Sequence, residues 1–339
     1  MKTFKKIIKV FLILLIVGIS SIVFLFYGPF ERPREIWITT AMSTYSHQYL
    51  ATWFFSEETI NKIVSNNSIK DTNEKTDIAS INLDSSSSDE FATVPASAPV
   101  ANQESPVDNS LSNEYSTLKH VDGTGFKGYL ITINDPSKVK VDITNNLGER
   151  GIKIKDYIKT HKIVAAINGG GFQDDGGHGH GGTPLGVIIK NEELIYAEEK
   201  PSFNFIGFNK DNVLISGNYS LKEIQEMNIR DGVTYFCRLI VNGKPLISED
   251  GAGSGIQPRS AIGQTKDGKI LMLVIDGRQL HSIGATLKQV QDIMLEHGAY
   301  NAVNLDGGSS SVMYYKDELV SKPSSQYGER FLPSIFIVE

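Results

Sequence analysis

Three apolar runs in this chain end alike, each stopping at a polar side chain that glycines follow at once. Ile163–Asn168 (IVAAIN) precedes Gly169, Gly170 and Gly171. Ile270–Asp276 (ILMLVID) precedes Gly277 and Arg278, and Ala302–Asp306 (AVNLD) precedes Gly307, Gly308 and Ser309. Apolar runs this short, bounded by glycine, read as buried strands. A strand tip leaves its side chain little positional freedom, and glycines behind it let backbone N–H groups approach a ligand closely. Successive N–H groups in such turns can also form a concavity for an anion. Asn168, Asp276 and Asp306 are therefore expected at one site, with Gly169, Gly170, Gly307, Gly308 and Ser309 lining it. The plain alternative is three ordinary glycine turns at sheet edges.

The surrounding sequence supplies more strands than helices. FKGYLITIND, KVKVDIT, PLGVIIK, FNFIGFN, TYFCRLIVNGKPLI and KDGKILMLVID alternate or run apolar between turn signals such as Asn242-Gly243 and Asp267-Gly268. One helix is expected over about Ile154 to His161. A second is expected over Leu287 to His297, with Thr286 and Gln289 at capping-box spacing and Gly298 just beyond. The expected class is α+β, a mixed β-sheet core with a few interspersed helices in a single catalytic domain over residues 114–339.

What precedes that domain is different in character. Lys2, Lys5, Lys6 and Lys9 form a basic tail (1–9) before an uncharged run from Val10 to Tyr27, long enough to span a bilayer. Its end in Phe24-Leu25-Phe26-Tyr27 lacks the small residues of a cleavage site, so the run reads as a retained anchor with the lysines cytoplasmic and the rest extracellular. Residues 28–63 read as a helical stalk, and 64–113, rich in Ser, Asn, Asp and Pro, as a flexible linker. The formal net charge is −6, so the chain beyond the lysines carries about −10, the wrong sign for a nucleic-acid surface. The single cysteine, Cys237, lies within the apolar run TYFCRLIV and reads as a core residue rather than a reactive thiol.

Arg259, in QPRSAIGQ, offers a planar fork suited to phosphate or carboxylate oxygens. With two aspartates, an asparagine and glycine-rich turns, it points to an anionic substrate carrying many hydroxyls, such as a sugar joined to phosphate. The segment Asp174-Asp175-Gly-Gly-His178-Gly-His180 is compatible with a divalent metal, with a loop whose histidines touch substrate, or with a solvated loop. No cofactor is otherwise called for. Two apparent motifs fail on context. Gly123-Thr-Gly125-Phe-Lys-Gly128 reads as lacking the strand before it and the helix after it that a dinucleotide site needs, and Ser309–Ser311 lack the G-x-S-x-G turn of a nucleophilic serine.

INGGGF, GHGHGGTPLGVIIKNEEL, PRSAIG, LVIDGR and NLDGGSSS, in that order over roughly Gly125 to Glu339, resemble the phosphodiester glycosidase (NAGPA) domain. The resemblance implies hydrolysis between an anomeric sugar carbon and a phosphodiester oxygen, as in removal of N-acetylglucosamine from such a diester. Glycoside cleavage passes through an oxocarbenium-like state normally served by two carboxyl groups. Asp306 is then expected as base or nucleophile, with Asp276 as its partner or as a ligand of a sugar hydroxyl. Arg259, Arg278, Asn168, His180 and the glycine amides are expected to hold the substrate. The expected substrate is a cell-envelope glycan or phosphopolymer, reached by a domain tethered to the membrane. A non-catalytic glycan-binding or exopolysaccharide-assembly module and a metal-dependent phosphodiesterase are the alternatives.

Overall fold

The computed structural model describes residues 2–44, 47–69, 71–83, 115–174, 179–248 and 255–339. Its organisation follows from strand β13 (Ile270–Ile275), which is buried at every residue. Ile270, Met272 and Val274 enter one apolar cluster, while Leu271, Leu273 and Ile275 enter another on the opposite face. A strand that is apolar at every position suits a sheet covered on both sides. That sheet has the order β1 (Ser116–Gly123), β2 (Phe126–Ile133), β13, β12 (Arg259–Thr265), β14 (Ala299–Asn304), β10 (Cys237–Val241) and β11 (Lys244–Pro245). A strand therefore does lead into Gly123, against the sequence reading, but a second strand and no helix follows it, so the glycines make a hairpin turn.

A second sheet runs β16 (Glu318–Leu319), β15 (Met313–Tyr315), β4 (Ala165–Asn168), β17 (Ser334–Val338) and β3 (Val139–Ile143). The third runs β6 (Glu193–Ala197), β5 (Val187–Lys190), β9 (Ile229–Thr234), β7 (Phe203–Asn209) and β8 (Leu214–Tyr219). All three contribute to one central core, for example Met272, Ile167 and Phe208. The α+β class holds, and the pairings between these strands are antiparallel.

Helices seal the outer faces. α7 (Leu287–Glu296) buries Leu287, Val290, Ile293 and Met294 against Leu239, Ala261 and Leu271. Its capping box joins Thr286 and Gln289 as the sequence spacing predicts, and Gly298 ends it at φ +81°. α5 (Ile154–Tyr157) is shorter than the predicted Ile154–His161, because the chain turns there: Thr160 and His161 N–H both donate to Tyr157 O. α6 (Leu221–Glu226), with its own capping box from Ser220 and Glu223, packs Ile224 against the third sheet.

Ahead of the domain, α1 (Lys2–Tyr27) contains the stretch Lys6–Tyr27, with mean hydropathy 2.8 and enough length to cross a membrane. α2 (Glu31–Met42), α3 (Tyr49–Thr52) and α4 (Glu57–Asn66) gather Ile38, Ala51, Phe55, Ile60 and Ile63 around Phe26. Residues 71–83, which composition assigns to a flexible linker, instead lie docked on the domain. Arg238 on β10 is 1% exposed, and its guanidinium donates to Asp71 Oδ1 (2.8 Å), Glu74 O (2.7 Å) and Thr72 O. Thr76 exchanges hydrogen bonds with Ser216, and Asn82 N–H donates to Lys266 O at 2.8 Å. The polar residues that suggested a solvated spacer serve here as acceptors for a buried arginine and as partners for β8. Of the rest of that region, residues 64–66 complete α4, and 84–113 lie outside the described residues.

Candidate active site

Antiparallel register brings the start of β12 beside the ends of β13 and β14: Arg259 pairs with Ile275, and Ala261 with Asn304. From the second sheet, the end of β4 reaches the same pole. Asn168 is fully buried there, donating Nδ2–H to Asp306 O at 2.7 Å and accepting at Oδ1 from Ser260 Oγ at 2.6 Å. Val312 N–H adds a third bond to Asn168 Oδ1 at 3.3 Å. The predicted substrate ligand Asn168 is thus occupied as a clamp between two sheets, directly behind Asp306.

The glycines divide between two duties. Gly169 and Gly170 N–H, predicted to face an anion, donate instead to Ser334 O (3.0 Å) and Ser334 Oγ (3.1 Å) on β17. A Cβ on Gly169 would lie 2.6 Å from Ser334 Oγ, so close strand packing explains that glycine. Gly308 differs. At φ +61° it turns the chain into a short 3₁₀ segment, and its N–H donates to Pro258 O at 2.9 Å.

That turn presents Asp306. Its Oδ1 accepts Gly307 N–H at 2.9 Å, and Ser310 also hydrogen-bonds the carboxylate. Burial nevertheless dominates and raises the carboxyl from the ordinary 3.8 to about 6, with the Asp174 charge pushing the same way and Arg330 opposing. Asp306 remains partly accessible. Beside it Arg330 makes a two-pronged ion pair with Asp174 (Nη2–Oδ1 2.6 Å, Nη1–Oδ2 3.1 Å) and donates to Ser309 Oγ at 3.0 Å. Gly179 completes the link, donating N–H to Asp174 Oδ1 at 2.7 Å and accepting from Arg330 at its carbonyl. Asp174 is therefore a partner of arginine, and Asp175 and His178 of the suggested metal set lie outside the described residues. His180 is exposed, with its carbonyl bonded to Gly151 N–H at 2.7 Å. Among the described residues no three His, Cys, Asp or Glu side chains are grouped to hold a metal ion.

The two predicted arginines part company. Arg259 is 1% exposed, and its guanidinium donates to Ala285 O (3.1 Å) and Gly255 O (2.7 Å). Its neighbour Ser260 faces Asn168, so alternation along β12 sends Arg259 to the opposite face of the sheet, where Cys237 also lies. Arg259 is thus a buried structural residue and not the accessible fork the sequence suggested. Burial also pushes the Cys237 thiol up to about 12, in keeping with a core cysteine. Arg278 is exposed, in a left-handed backbone at φ +58°, and its guanidinium lies against Gly308. A non-glycine residue in that conformation is strained, and such strain gathers at functional sites.

Asp276 is 2% exposed. Its Oδ1 accepts Lys322 N–H at 2.7 Å, its Oδ2 lies 3.1 Å from His281 Nε2, and its carbonyl accepts Ser282 Oγ at 2.5 Å. The groups around its carboxylate are different from those around Asp306. Sequence reasoning missed Arg330 and His281. The available signals were a charged pair, Glu329-Arg330, just before an apolar strand, and a histidine five residues after a strand-end aspartate.

The sequence matches the phosphodiester glycosidase family over residues 161–339, more than half of the chain. It is 28% identical over 195 residues to human N-acetylglucosamine-1-phosphodiester alpha-N-acetylglucosaminidase, covering 52% of this chain and 36% of the human protein. It is 26% identical over 162 residues to the SPbeta prophage-derived protein YomE of Bacillus subtilis, covering 45% of this chain and 24% of that one. The chain therefore spans well under half the length of these relatives. Among solved structures, the catalytic domain of zebrafish N-acetylglucosamine-1-phosphodiester alpha-N-acetylglucosaminidase, auto-inhibited by its pro-peptide, superposes with a TM-score of 0.56. That match has 25% identity and covers 70% of this chain and 85% of that chain.

Proposed function

This chain belongs to the phosphodiester glycosidase family, and on that footing we propose that it hydrolyses the glycosidic bond of a sugar-1-phosphodiester. The observation that carries the reading is Asp306, a carboxylate that is partly accessible, fixed by a strand end, and raised to about 6 by burial. A general base works best with a pKa near the operating pH. At neutral pH Asp306 is largely ionised and ready to take a proton from the attacking water. Arg278, exposed against Gly308, faces the phosphoryl group and stabilises the charge that gathers there as the C1–O bond lengthens. Arg330 and Asp174 hold the turn that aims Asp306.

The substrate is read as an N-acetylglucosamine-1-phosphodiester or a similar unit in a cell-envelope glycopolymer. The named substrate of the human relative supports the first half of that statement. The apolar helix α1 supports the second, as the anchor that would keep the domain outside the membrane. Full-length protein in detergent, incubated with a synthetic N-acetylglucosamine-1-phosphodiester, tests the reading by its products. Free sugar plus phosphomonoester is the expected result. Sugar-1-phosphate would mean that the P–O bond had been cut, and unchanged diester with measurable binding would mean a glycan-binding module.

A further inference from the structure

Asp276 has its side chain 1% exposed, so it reaches a ligand only through whatever it holds. What it holds is His281. Nε2 lies 3.1 Å from Asp276 Oδ2, the ring is 27% exposed, and Nδ1 makes no hydrogen bond among the described residues. The ring stands at a cavity of about 300 Å³ between the β1–β2 hairpin and the 280–283 turn. Arg278, the exposed arginine against Gly308, is three residues away on the same loop. We infer that His281, oriented by Asp276, is a further catalytic residue that donates a proton from Nδ1 to the phosphoryl oxygen leaving the sugar.

The loop's own bonds indicate that the ring is not there to hold the turn. Gln279 and Ser282 exchange backbone bonds at 3.0 and 3.1 Å, Arg278 N–H donates to Ile283 O at 3.1 Å, and Ile283 N–H donates to Gly125 O at 2.8 Å. Ser282 Oγ ties the turn to Asp276 O (2.5 Å) and receives Lys127 N–H (3.0 Å). The charges facing the ring come from several elements. Asp276 stands at the end of β13, and Asp122 and Lys127 line the cavity from the β1–β2 hairpin, while the Arg278 guanidinium on the histidine's own loop is directed to Gln257 and Gly308. Tyr129 lies close by, its phenol pushed up by burial and then by the Asp276 and Asp122 charges. An aspartate bonded to one ring nitrogen fixes the proton there and stabilises the imidazolium, leaving the other nitrogen to exchange protons with a ligand.

The assignment rests on the reaction proposed above. In that step the C1–O bond breaks, and its electron pair goes to the phosphoryl oxygen, which takes the proton of His281. The oxygen of water bonds to C1 and its proton passes to Asp306. Free sugar and phosphomonoester depart, His281 regains a proton from solvent, and Asp306 loses one to it.

Full-length His281→Ala in detergent, assayed for free sugar with and without added imidazole, tests the assignment. General-acid assistance of this kind is typically worth about 10²-fold or more in turnover. The expected result is a loss of that order with partial recovery when imidazole fills the vacated side of the cavity and again meets the Asp276 carboxylate. Turnover within about twofold of wild type would overturn the assignment. A loss that imidazole does not relieve, accompanied by a lower melting temperature, would also overturn it by making the ring structural. Wild-type protein that releases no sugar would be a separate failure, that of the reaction itself, and the role of His281 would fall with it.

Discussion

Asp306 and Asp276 stand just past the ends of the two buried strands that flank β12, each followed by glycine, yet the fold gives them opposite circumstances. Asp306 opens toward solvent, and its nearest charges are the Arg330–Asp174 pair brought in from other loops. Asp276 is closed over by the turn that begins with Arg278 and by the backbone of Lys322, and it presents a histidine in its place. The strand end fixes where a carboxylate sits. The loop that covers it decides whether it opens to solvent or is enclosed by hydrogen-bond partners.

Four experiments would break or sharpen this contrast. Asp306→Asn should lower kcat about 10²–10⁴-fold, the usual worth of a general base. It should also change the dependence of stability on pH. A carboxyl raised from 3.8 to about 6 in the folded state lends stability that is complete below its unfolded value and is lost as pH rises through about 6. Wild type should therefore lose up to about 3 kcal/mol between pH 4 and 7 on this account, two pKa units at 1.36 kcal/mol each. Asp306→Asn should not, and melting curves across that range measure the difference. A variant that turns over normally would return Asp306 to the standing of a turn residue.

Arg330→Gln leaves the Asp174 carboxylate, 14% exposed, without its partner. Breaking a buried pair in this way typically costs about 3–5 kcal/mol, which denaturant titration would read. Because Arg330 holds the Asp306 carboxyl down and Asp174 raises it, the acid limb of kcat should move to higher pH in Arg330→Gln and to lower pH in Asp174→Asn. Identical limbs in all three proteins would separate the pair from the chemistry.

Asp276→Asn keeps an acceptor for Lys322 N–H but turns an amide toward His281 Nε2. The expected loss in kcat is about tenfold, equivalent to ~1.4 kcal/mol, the scale of one misdirected hydrogen bond. Little change in KM is expected, and a loss confined to KM would make Asp276 a binding residue. The smallest change in stability should come from Arg278→Gly. Relief of the left-handed backbone should raise stability by about 0.5–1 kcal/mol, while loss of the guanidinium, which acts as charge gathers on the phosphoryl group, lowers kcat. A stabilised protein with unchanged kcat would remove Arg278 from the phosphate.

Much of this architecture can be read in the chain because its causes are local. The capping box at Thr286 and Gln289 spans three residues, and the strand-end positions of Asn168, Asp276 and Asp306 follow from short apolar runs meeting glycine. What could not be read depends on distant partners. Asp174 and Arg330 are 156 residues apart, and neither carries a local sign of the other. Gly169 and Gly170 look like an anion nest until β17 lies beside them and Ser334 takes their N–H groups. Arg259 has the chemistry of a phosphate clamp, but period-two alternation fixes only that it opposes Ser260. Which face holds the site is decided where Ser260 meets Asn168 from another sheet.

The docking of residues 71–83 changes what the low-complexity region can do mechanically. Asn82 is bonded to Lys266, so the strap that begins at Arg238 is still held by the same sheet at its far end. A free leash of about 50 residues would let the domain wander roughly 40 Å from its mooring. Here the chain is fastened at Asp71, and only the few residues between α4 and Asp71 separate the helical stalk from the arginine that receives the strap. The stalk gains a second point of attachment where Ile256 N–H meets Thr40 Oγ1 at 3.0 Å. Were α1 the mooring proposed above, the domain would hang from it on a short arm rather than a long tether.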